Sequence, residues 1–274
     1  MNSSTYETAT RPAAPAAGSD WSGVAVVTGA AGGIGAGVAR ALARAGVPVA
    51  LLDRDVVALW ELAAELDAAG SGVLPLAVDV TDSAAVDIAV DKIEAELGAI
   101  SYLVNGAGVL RSKPTGELTD EDWNFIFGVN TSGVFHVSRA VSRRMVERGH
   151  GSIVTIASNA AVTPRATLAA YAASKAASSM FTKCLGLELA RHGVRCNTVA
   201  PGSTRTAMLT ALQGDAAVSA SVDGTPDTFR VGIPLGRVAE PSHIADAVLF
   251  LLSERSAHIT MHDLTVDGGA SLGA

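Results

Sequence analysis

The chain has 274 residues, of which 49% are hydrophobic and only 17% charged, and its formal net charge is −7. The hydrophobic content supports a sizeable core, and an acidic balance without a cluster of Lys or Arg argues against nucleic acid and anionic membranes as partners. No apolar run has the length of a transmembrane helix, so we expect a cytoplasmic protein that acts on a small molecule.

The composition of the N-terminal residues does not indicate export, and the Cys and His residues do not indicate metal binding. Residues 1–20 are rich in Ala, Pro, Ser and Thr without an apolar core, which predicts a disordered tail and no signal peptide. Cys184 and Cys196 lack metal-ligand spacing and are expected to be reduced, buried thiols. His258 and His262 have no accompanying third ligand, so no metal site is expected.

After this tail, short apolar runs alternate with longer segments of helical periodicity. Gly46 and Gly70 are placed to end the first two helices, Pro75 moves the third strand toward the sheet edge, and Ser83 is a candidate N-cap. The nearly continuous apolar strands predict a seven-stranded parallel sheet with helices on both faces. The predicted strands are 24–28, 47–53, 72–80, 100–108, 152–158, 193–202 and 262–269, and the predicted helices are 33–46, 56–70, 83–98, 119–148, 171–192 and 241–253.

One segment interrupts the alternation. Residues 203–240 contain many Gly, Ala, Ser and Pro residues and are predicted to be a mobile loop with short helices. Because there is no linker and no internal repeat, residues 21–274 are expected to form a single α/β domain that includes this loop.

A glycine-rich stretch, "TGAAGGIG" at residues 28–35, joins the first strand to the first helix. In a doubly wound sheet this connection borders the crevice where ligands bind. Gly29, Gly33 and Gly35 permit a sharp turn and let a phosphate approach backbone N–H groups around Ile34 at the helix N-terminus. In this strand-turn-helix context the stretch predicts a dinucleotide site.

The end of the second strand carries Asp53, 18 residues after Gly35. A carboxylate at this position can accept hydrogen bonds from both ribose hydroxyls and repels a 2′-phosphate, which favours NAD over NADP. The neighbouring Arg54 could instead accommodate that phosphate. Because the glycine-rich stretch contains no basic residue, we expect NAD to be the cofactor.

The ends of the third and fourth strands carry further candidate cofactor contacts. Asp79 could accept a hydrogen bond from the adenine amino group, and the backbone of Val80 could pair with the ring. In "NGAG", Asn105, Gly106 and Ala107 are small enough for a cofactor to lie against the backbone. These positions share one end of successive strands, so together they indicate one binding crevice.

The stretch "YAASK" places Tyr171 and Lys175 four residues apart, on one face of a predicted helix. A positive charge beside a phenol lowers the pKa of the phenol. The spacing alone also fits a surface Lys beside a half-buried Tyr, so the pair needs the remaining motifs to indicate catalysis.

With "TGAAGGIG", "NGAG", Asn130 in "GVNTSG", Ser158 in "TIASNA", "YAASK" and "PGSTRT" in this order, the chain resembles the short-chain dehydrogenase/reductase family. The resemblance extends from about residue 22 to the C-terminus. It implies a single-domain Rossmann fold, a homotetramer and the catalytic set Asn130, Ser158, Tyr171 and Lys175.

The same resemblance implies a role for each catalytic residue. Tyr171 takes the proton of the substrate hydroxyl while hydride passes to nicotinamide, and Ser158 orients that hydroxyl. Asn130 holds the long helix locally open and binds a water that connects Lys175 to solvent. The ammonium and the positive nicotinamide are expected to lower the pKa of the phenol by up to about 3 units.

The resemblance also implies contacts after the sixth strand. Pro201, Gly202, Thr204 and Thr206 match the segment that holds the nicotinamide amide. Met208 and the loop behind it are expected to close over the substrate.

Three further stretches, "PGSTRTAM", "GIPLGRVAEP" and "HITMHDLTVDGGASLGA", together with "TPR" at 163–165, are similar to the 2,3-dihydro-2,3-dihydroxybenzoate dehydrogenases. That similarity implies NAD-dependent oxidation of a carboxylated cyclohexadiene diol in catechol siderophore biosynthesis. A carboxylate substrate favours a cationic partner, for which Arg165 is the first candidate and Arg205 the second. Position 205 is usually acidic in the family, so Arg205 departs from its pattern.

Several alternatives remain open at this point. The substrate could be a dihydro-3-hydroxyanthranilate or another cyclic or secondary alcohol, and a 3-ketoacyl reductase also fits the motifs. A dinucleotide sensor without catalysis is disfavoured because the Tyr171–Lys175 pair is intact.

Overall fold

The computed structural model of the protein describes residues 21–68, 70, 72–213 and 216–273, and the predicted tail at 1–20 lies outside them. Within these residues, seven parallel strands form one sheet in the order β3-β2-β1-β4-β5-β6-β7. The predicted fold class is therefore confirmed. The strands are β1 (Val24–Thr28), β2 (Val49–Asp53), β3 (Val73–Ala77), β4 (Ile100–Asn105), β5 (Gly151–Ile156), β6 (Val194–Pro201) and β7 (Asp263–Val266).

Helices cover both faces of the sheet. One face packs against α1, α2 and α9, and the other packs against α3, α5 and α6. In the described part of the chain, none of the helices has the length and hydropathy needed to cross a membrane. The helices are α1 (Gly33–Arg44), α2 (Val56–Asp67), α3 (Ser83–Glu96), α4 (Asp120–Phe127), α5 (Val134–Arg148), α6 (Ala169–Leu189), α7 (Ala207–Gln213), α8 (Ala216–Asp223) and α9 (Pro241–Leu252).

The two-sided burial of the strands explains their apolar sequences. In β1, Val24 and Val26 belong to one hydrophobic cluster, whereas Ala25 and Val27 belong to the cluster on the opposite face. Because successive side chains of a strand point to opposite faces, a strand covered on both sides needs apolar residues at every position.

Several predicted strands are longer than the observed ones. The prediction for the third strand was too long by several residues, although β3 does lie at the sheet edge, as Pro75 indicated. The fourth strand ends at Asn105, because Thr28 Oγ1 accepts hydrogen bonds from Gly106 N (3.1 Å) and Ala107 N (3.2 Å) and turns the chain out of the ladder. The last predicted strand is likewise reduced to four residues. Apolar patterning does not show where ladder pairing stops.

The prediction that Ser83 caps the third helix is wrong. The N-cap is Asp82, whose carboxylate accepts hydrogen bonds from Ala84 N at 2.9 Å and Ala85 N at 3.0 Å. A carboxylate also interacts favourably with the positive end of the helix dipole. Ser83 instead occupies the first helical position and accepts a hydrogen bond from Arg139.

The long helix predicted at 119–148 is two α-helices joined by a π-helical turn. The turn spans Gly128–Gly133 and contains Asn130, so the expected local opening of the helix is present. Thr119 forms a capping box with Asp122 at the start of α4. The next helix, α6, starts two residues before the predicted position and ends at Leu189.

The expectation of two buried thiols is wrong for one of them. Cys196 is buried in β6, and burial raises the pKa of its thiol to about 12. Cys184 is exposed on α6. Because Ser178, Thr182 and Gly186 face the sheet at helical spacing, Cys184 points outward.

The segment 203–240 does contain short helices, as predicted. Besides α7 and α8, a 3-10 turn at Pro226–Thr228 lies within it. Leu209, Ile233 and Val238 form a small separate hydrophobic cluster with Ala270. The mobility of this segment stays a prediction.

Replacing Thr28 with Val tests the turn after β4. The substitution keeps the side-chain shape but removes the acceptor of Ala107 N and one of the two acceptors of Gly106 N. Because these groups are buried or half-buried, we expect the free energy of unfolding to fall by about 2 kcal/mol. Urea denaturation at one protein concentration measures this loss.

The matched control is Thr265→Val, which changes an exposed Thr in β7. It should alter the free energy of unfolding by no more than about 0.5 kcal/mol. Equal losses in both variants would show that the Thr28 hydroxyl does not stabilise the turn.

Candidate active site

A cavity of about 580 Å³ opens at the carboxyl edge of the sheet. It begins at the crevice between β1 and β4, where the strand order reverses, and continues past the ends of β5 and β6. All the predicted cofactor-binding and substrate-binding residues line it except Asn105 and Arg205. Motifs that are far apart in the sequence therefore lie together around one continuous cavity.

Three predicted residues lie elsewhere. The amide of Asn105 is buried beneath the cavity and donates to Ser138 Oγ at 2.9 Å. Arg205 is exposed and pairs with Glu240 at 2.8 Å, so the structure does not bring it to the cavity. Asn130 is fully buried behind the cavity wall.

Close packing explains the glycines of the first loop. A Cβ on Gly35 would lie 2.0 Å from the carbonyl oxygen of Gly29, and a Cβ on Gly33 would lie 2.5 Å from Thr206 Cγ2. Gly29 also has a φ of +65°, a left-handed conformation that favours glycine. The loop therefore tolerates no larger side chain at these positions.

The start of α1 presents backbone donors to the cavity. Among the described residues, no side chain caps this helix, and no acidic residue occupies its first turn. Its first N–H groups and the positive end of its dipole are therefore available to a phosphate.

The end of the cavity that is expected to hold adenosine is acidic. Asp53 Oδ2 accepts from Ala31 N and Oδ1 accepts from Asp55 N, both at 3.0 Å, which orients the carboxylate beside the glycine loop. Hydrogen bonds from the backbone and side chain of Thr81 lower the pKa of Asp79, so this carboxylate is charged at neutral pH. Arg54 lines the same region.

The cavity is also lined by Tyr171 and Lys175. Both lie on α6, and Lys175 Nζ lies 6.0 Å from the centroid of the Tyr171 ring. Lys175 is 4% exposed, and its ammonium donates to the carbonyl of Ile156, at the end of β5, at 2.8 Å. Burial lowers the pKa of Lys175 to about 8, so the amine still carries its charge at pH 7.

The expected lowering of the phenol pKa is not found in the chain by itself. Burial raises the pKa of Tyr171 above its ordinary value, and a hydrogen bond with Ser158 opposes this only in part. The expectation counted the charges of Lys175 and of a bound nicotinamide and omitted the desolvation of the phenol, which dominates in the chain by itself. A lowered pKa with the cofactor bound stays a prediction.

Asn130 connects three segments behind Tyr171 and Lys175. Its Oδ1 accepts from Val109 N at 2.8 Å, and its Nδ2 donates to Val109 O at 3.0 Å and to Ser174 Oγ at 2.9 Å. The side chain thus joins the π-helical turn to the loop after β4 and to α6. Its predicted role in binding a water stays a prediction.

The substrate end is basic and includes one residue that the sequence analysis missed. Arg165 lines the cavity, and burial lowers the pKa of its guanidinium. Arg230 lines the same cavity, although it stands in the segment predicted to be a mobile loop. No local motif in "TFRVGIPLG" distinguishes this Arg from a surface charge.

These features fit a nicotinamide dinucleotide. The uncapped helix start can hold its phosphates, Asp53 can accept from a ribose hydroxyl, and the cavity continues from there to Tyr171. Residues 23–217 match the family described as short chain dehydrogenase. The chain belongs to the short-chain dehydrogenase family.

Comparison with individual members of the short-chain dehydrogenase family shows similarity over nearly the whole chain. It is 52% identical to a 2,3-dihydro-2,3-dihydroxybenzoate dehydrogenase of Bacillus subtilis, covering 91% of this chain and 96% of the relative. It is 42% identical to the enzyme of the same name from Escherichia coli, covering 93% and 100%.

Among solved structures of short-chain dehydrogenases, a gluconate 5-dehydrogenase from Burkholderia cenocepacia, in complex with NADP and tartrate, has a TM-score of 0.83. It is 35% identical, and the alignment covers 91% of this chain and 95% of that one.

The lowered pKa of Lys175 makes stability depend on pH. The folded state loses this proton near pH 8 and the unfolded state near 10.5, so the lysine's contribution to the free energy of unfolding rises as pH increases between these values. Relative to Lys175→Met, wild type should therefore gain about 1 kcal/mol between pH 7 and pH 9. Urea denaturation of both proteins across this range measures the gain.

Lys92→Met provides the control, because that Lys is half-exposed on α3. The difference between this variant and wild type should stay nearly constant over the same pH range. A constant difference for Lys175→Met as well would contradict the lowered pKa.

Proposed function

We propose that this protein oxidises 2,3-dihydro-2,3-dihydroxybenzoate to 2,3-dihydroxybenzoate with NAD as cofactor, in the biosynthesis of a catechol siderophore. The observation that carries the proposal is the cavity itself, in which the Tyr171–Lys175 pair lies between a dinucleotide crevice and a basic substrate end. The names of the bacterial relatives support the same substrate.

The chain's own residues account for substrate activation. Ser158 Oγ would hydrogen-bond the substrate hydroxyl, and Tyr171 Oη would take its proton. The charged Lys175 favours the phenolate, which burial disfavours, so proton transfer depends on keeping this amine protonated. A nicotinamide bound in the crevice would supply the hydride acceptor.

The substrate provides the thermodynamic drive. Loss of a hydride and a proton from the alcohol gives a ketone, which tautomerises to an aromatic catechol. Aromatisation makes the overall reaction hard to reverse, so the protein mainly has to align the reacting groups. Arg165, which lines the basic end of the cavity, would hold the carboxylate of the substrate.

The preference for NAD follows from charge at the adenosine end. In this proposal Asp53 repels a 2′-phosphate, and its two oxygens accept from backbone donors, which hold the carboxylate in place. Arg54 would attract a 2′-phosphate, but in this proposal its attraction is weaker than the repulsion from Asp53. The soluble homotetramer expected for the family remains part of the same proposal.

Turnover by the purified protein tests the function directly. We expect NAD⁺ reduction with 2,3-dihydro-2,3-dihydroxybenzoate, followed by nicotinamide absorbance, and a fall of about 10²–10⁴-fold in kcat for Tyr171→Phe. The same substitution at Tyr102, which lies outside the cavity, should leave kcat nearly unchanged.

Parallel assays with a dihydro-3-hydroxyanthranilate and with 3-ketoacyl thioesters cover the competing substrates. Reduction of the thioesters without oxidation of either cyclohexadiene acid would refute the proposed reaction. Full turnover by Tyr171→Phe would instead remove Tyr171 from the mechanism.

Asp53→Asn tests the cofactor preference. Removing the charge while keeping the shape should reduce the ratio of kcat/KM for NAD⁺ to that for NADP⁺ by about 10-fold to 100-fold. Asp55→Asn is the control, because it removes a charge two residues away and keeps a good helix cap. A ratio unchanged by Asp53→Asn would mean that another group sets the preference.

A further inference from the structure

Arg230 is held in a defined position at the substrate end of the cavity. Thr225 N donates to Arg230 O at 2.9 Å and Arg230 N donates to Thr225 O at 3.1 Å, which closes a short turn around the 3-10 segment. Its Nη2 donates to Ser203 Oγ at 2.7 Å and to Ser221 Oγ at 3.2 Å. The guanidinium therefore bridges the chain after β6 and helix α8.

Most of the donors on these two cavity arginines are unused. A guanidinium has five N–H groups, and Arg230 engages only those of Nη2, since its Nε and Nη1 have no acceptor in the described residues. The guanidinium of Arg165 makes neither a hydrogen bond nor a salt bridge within the same residues, although its backbone carbonyl accepts from Leu168 N. Both side chains are half-buried and line the same cavity.

The local charges do not balance. Burial is the main cause that lowers the pKa of Arg230, and the positive charge of Arg165 lowers it further. The two cations are therefore close enough to repel each other. Asp267 attracts Arg165, but its oxygens already accept from Asn159, Ser271 and Gly269. Two cations and one carboxylate leave a net charge of +1, which a bound monoanion would neutralise.

We propose that Arg165 and Arg230 together form the carboxylate subsite and that this pair selects carboxylated cyclic alcohols over neutral ones. Planar guanidinium groups bind a carboxylate through paired N–H donors, which fixes its orientation as well as its charge. The inference deepens the proposed function and rests on it for the ring chemistry, whereas the subsite concerns only the anionic end of the ligand.

Arg165 and Arg230 come from different parts of the cavity wall. Arg165 comes from the loop between β5 and α6, whereas Arg230 belongs to the segment 203–240. A carboxylate held by both would join these two parts of the cavity wall. A neutral ligand would offer the two cations no negative charge and would not favour this arrangement.

Binding without turnover provides the first test. Calorimetry measures the affinities of 2,3-dihydroxybenzoate and of catechol, which lacks the carboxylate, in the absence of cofactor. We expect Arg230→Gln to weaken binding of the acid by about 10-fold to 100-fold and to leave catechol nearly unaffected. Arg165→Gln should have a similar effect.

Kinetics provide the second test. Arg230→Gln should raise KM for the dihydrodiol acid by about 10-fold to 100-fold, with kcat nearly unchanged, because the subsite binds substrate and transition state alike. Arg230→Lys keeps the charge without the planar fork and should restore part of the affinity. Arg237→Gln, which removes an exposed Arg from the same segment, is the matched control.

The outcomes separate the subsite from the reaction. Unfolding curves and circular dichroism verify that each variant is folded. If Arg230→Gln does not fold, Arg230→Lys is used in its place. If wild type oxidises the acid but the folded variants keep its KM and its preference for the acid over catechol, the subsite is refuted and the function stands. If no cyclohexadiene acid is oxidised but the preference still depends on Arg230, the function fails and the subsite stands.

Discussion

The parallel direction of all the sheet strands is the constraint on which the site depends. Because every strand runs the same way, the residues that follow each strand meet at one edge, although they are far apart in the chain. The buried ammonium of Lys175 uses this edge directly, since it donates to Ile156 O at the end of β5. That bond ties helix α6, which also carries Tyr171, to the end of β5.

The cavity is electrically polarised along its length. The carboxylates of Asp53 and Asp79 lie at one end beside Arg54, whereas Arg165 and Arg230 lie at the other, with Lys175 between them. A cofactor with a neutral adenosine end and a substrate with an anionic end would therefore be sorted into opposite halves of one cavity. Charge, as well as shape, would therefore determine how the cofactor and the substrate are oriented in the cavity.

Local patterns predicted much of this architecture. The glycine loop was recognisable because its function is performed by the backbone of consecutive residues, and the Tyr171–Lys175 pair because one helix turn places both on one face. Strand ends were less predictable, since the turn after β4 depends on the hydroxyl of Thr28, a residue from another strand. The exposure of Cys184 likewise depends on which face of α6 meets the sheet.

The amino-acid sequence by itself determined the alternation of strands and helices, the glycine loop and the spacing of Tyr171 and Lys175 on one helix, because each is encoded by neighbouring residues and their periodicity. Only the tertiary structure decided which Arg residues face the cavity, bringing in Arg230 and pairing Arg205 with Glu240 outside it. It also decided the raised pKa of Tyr171. Desolvation and contacts between distant segments exist only once the chain has folded, so no local pattern records them.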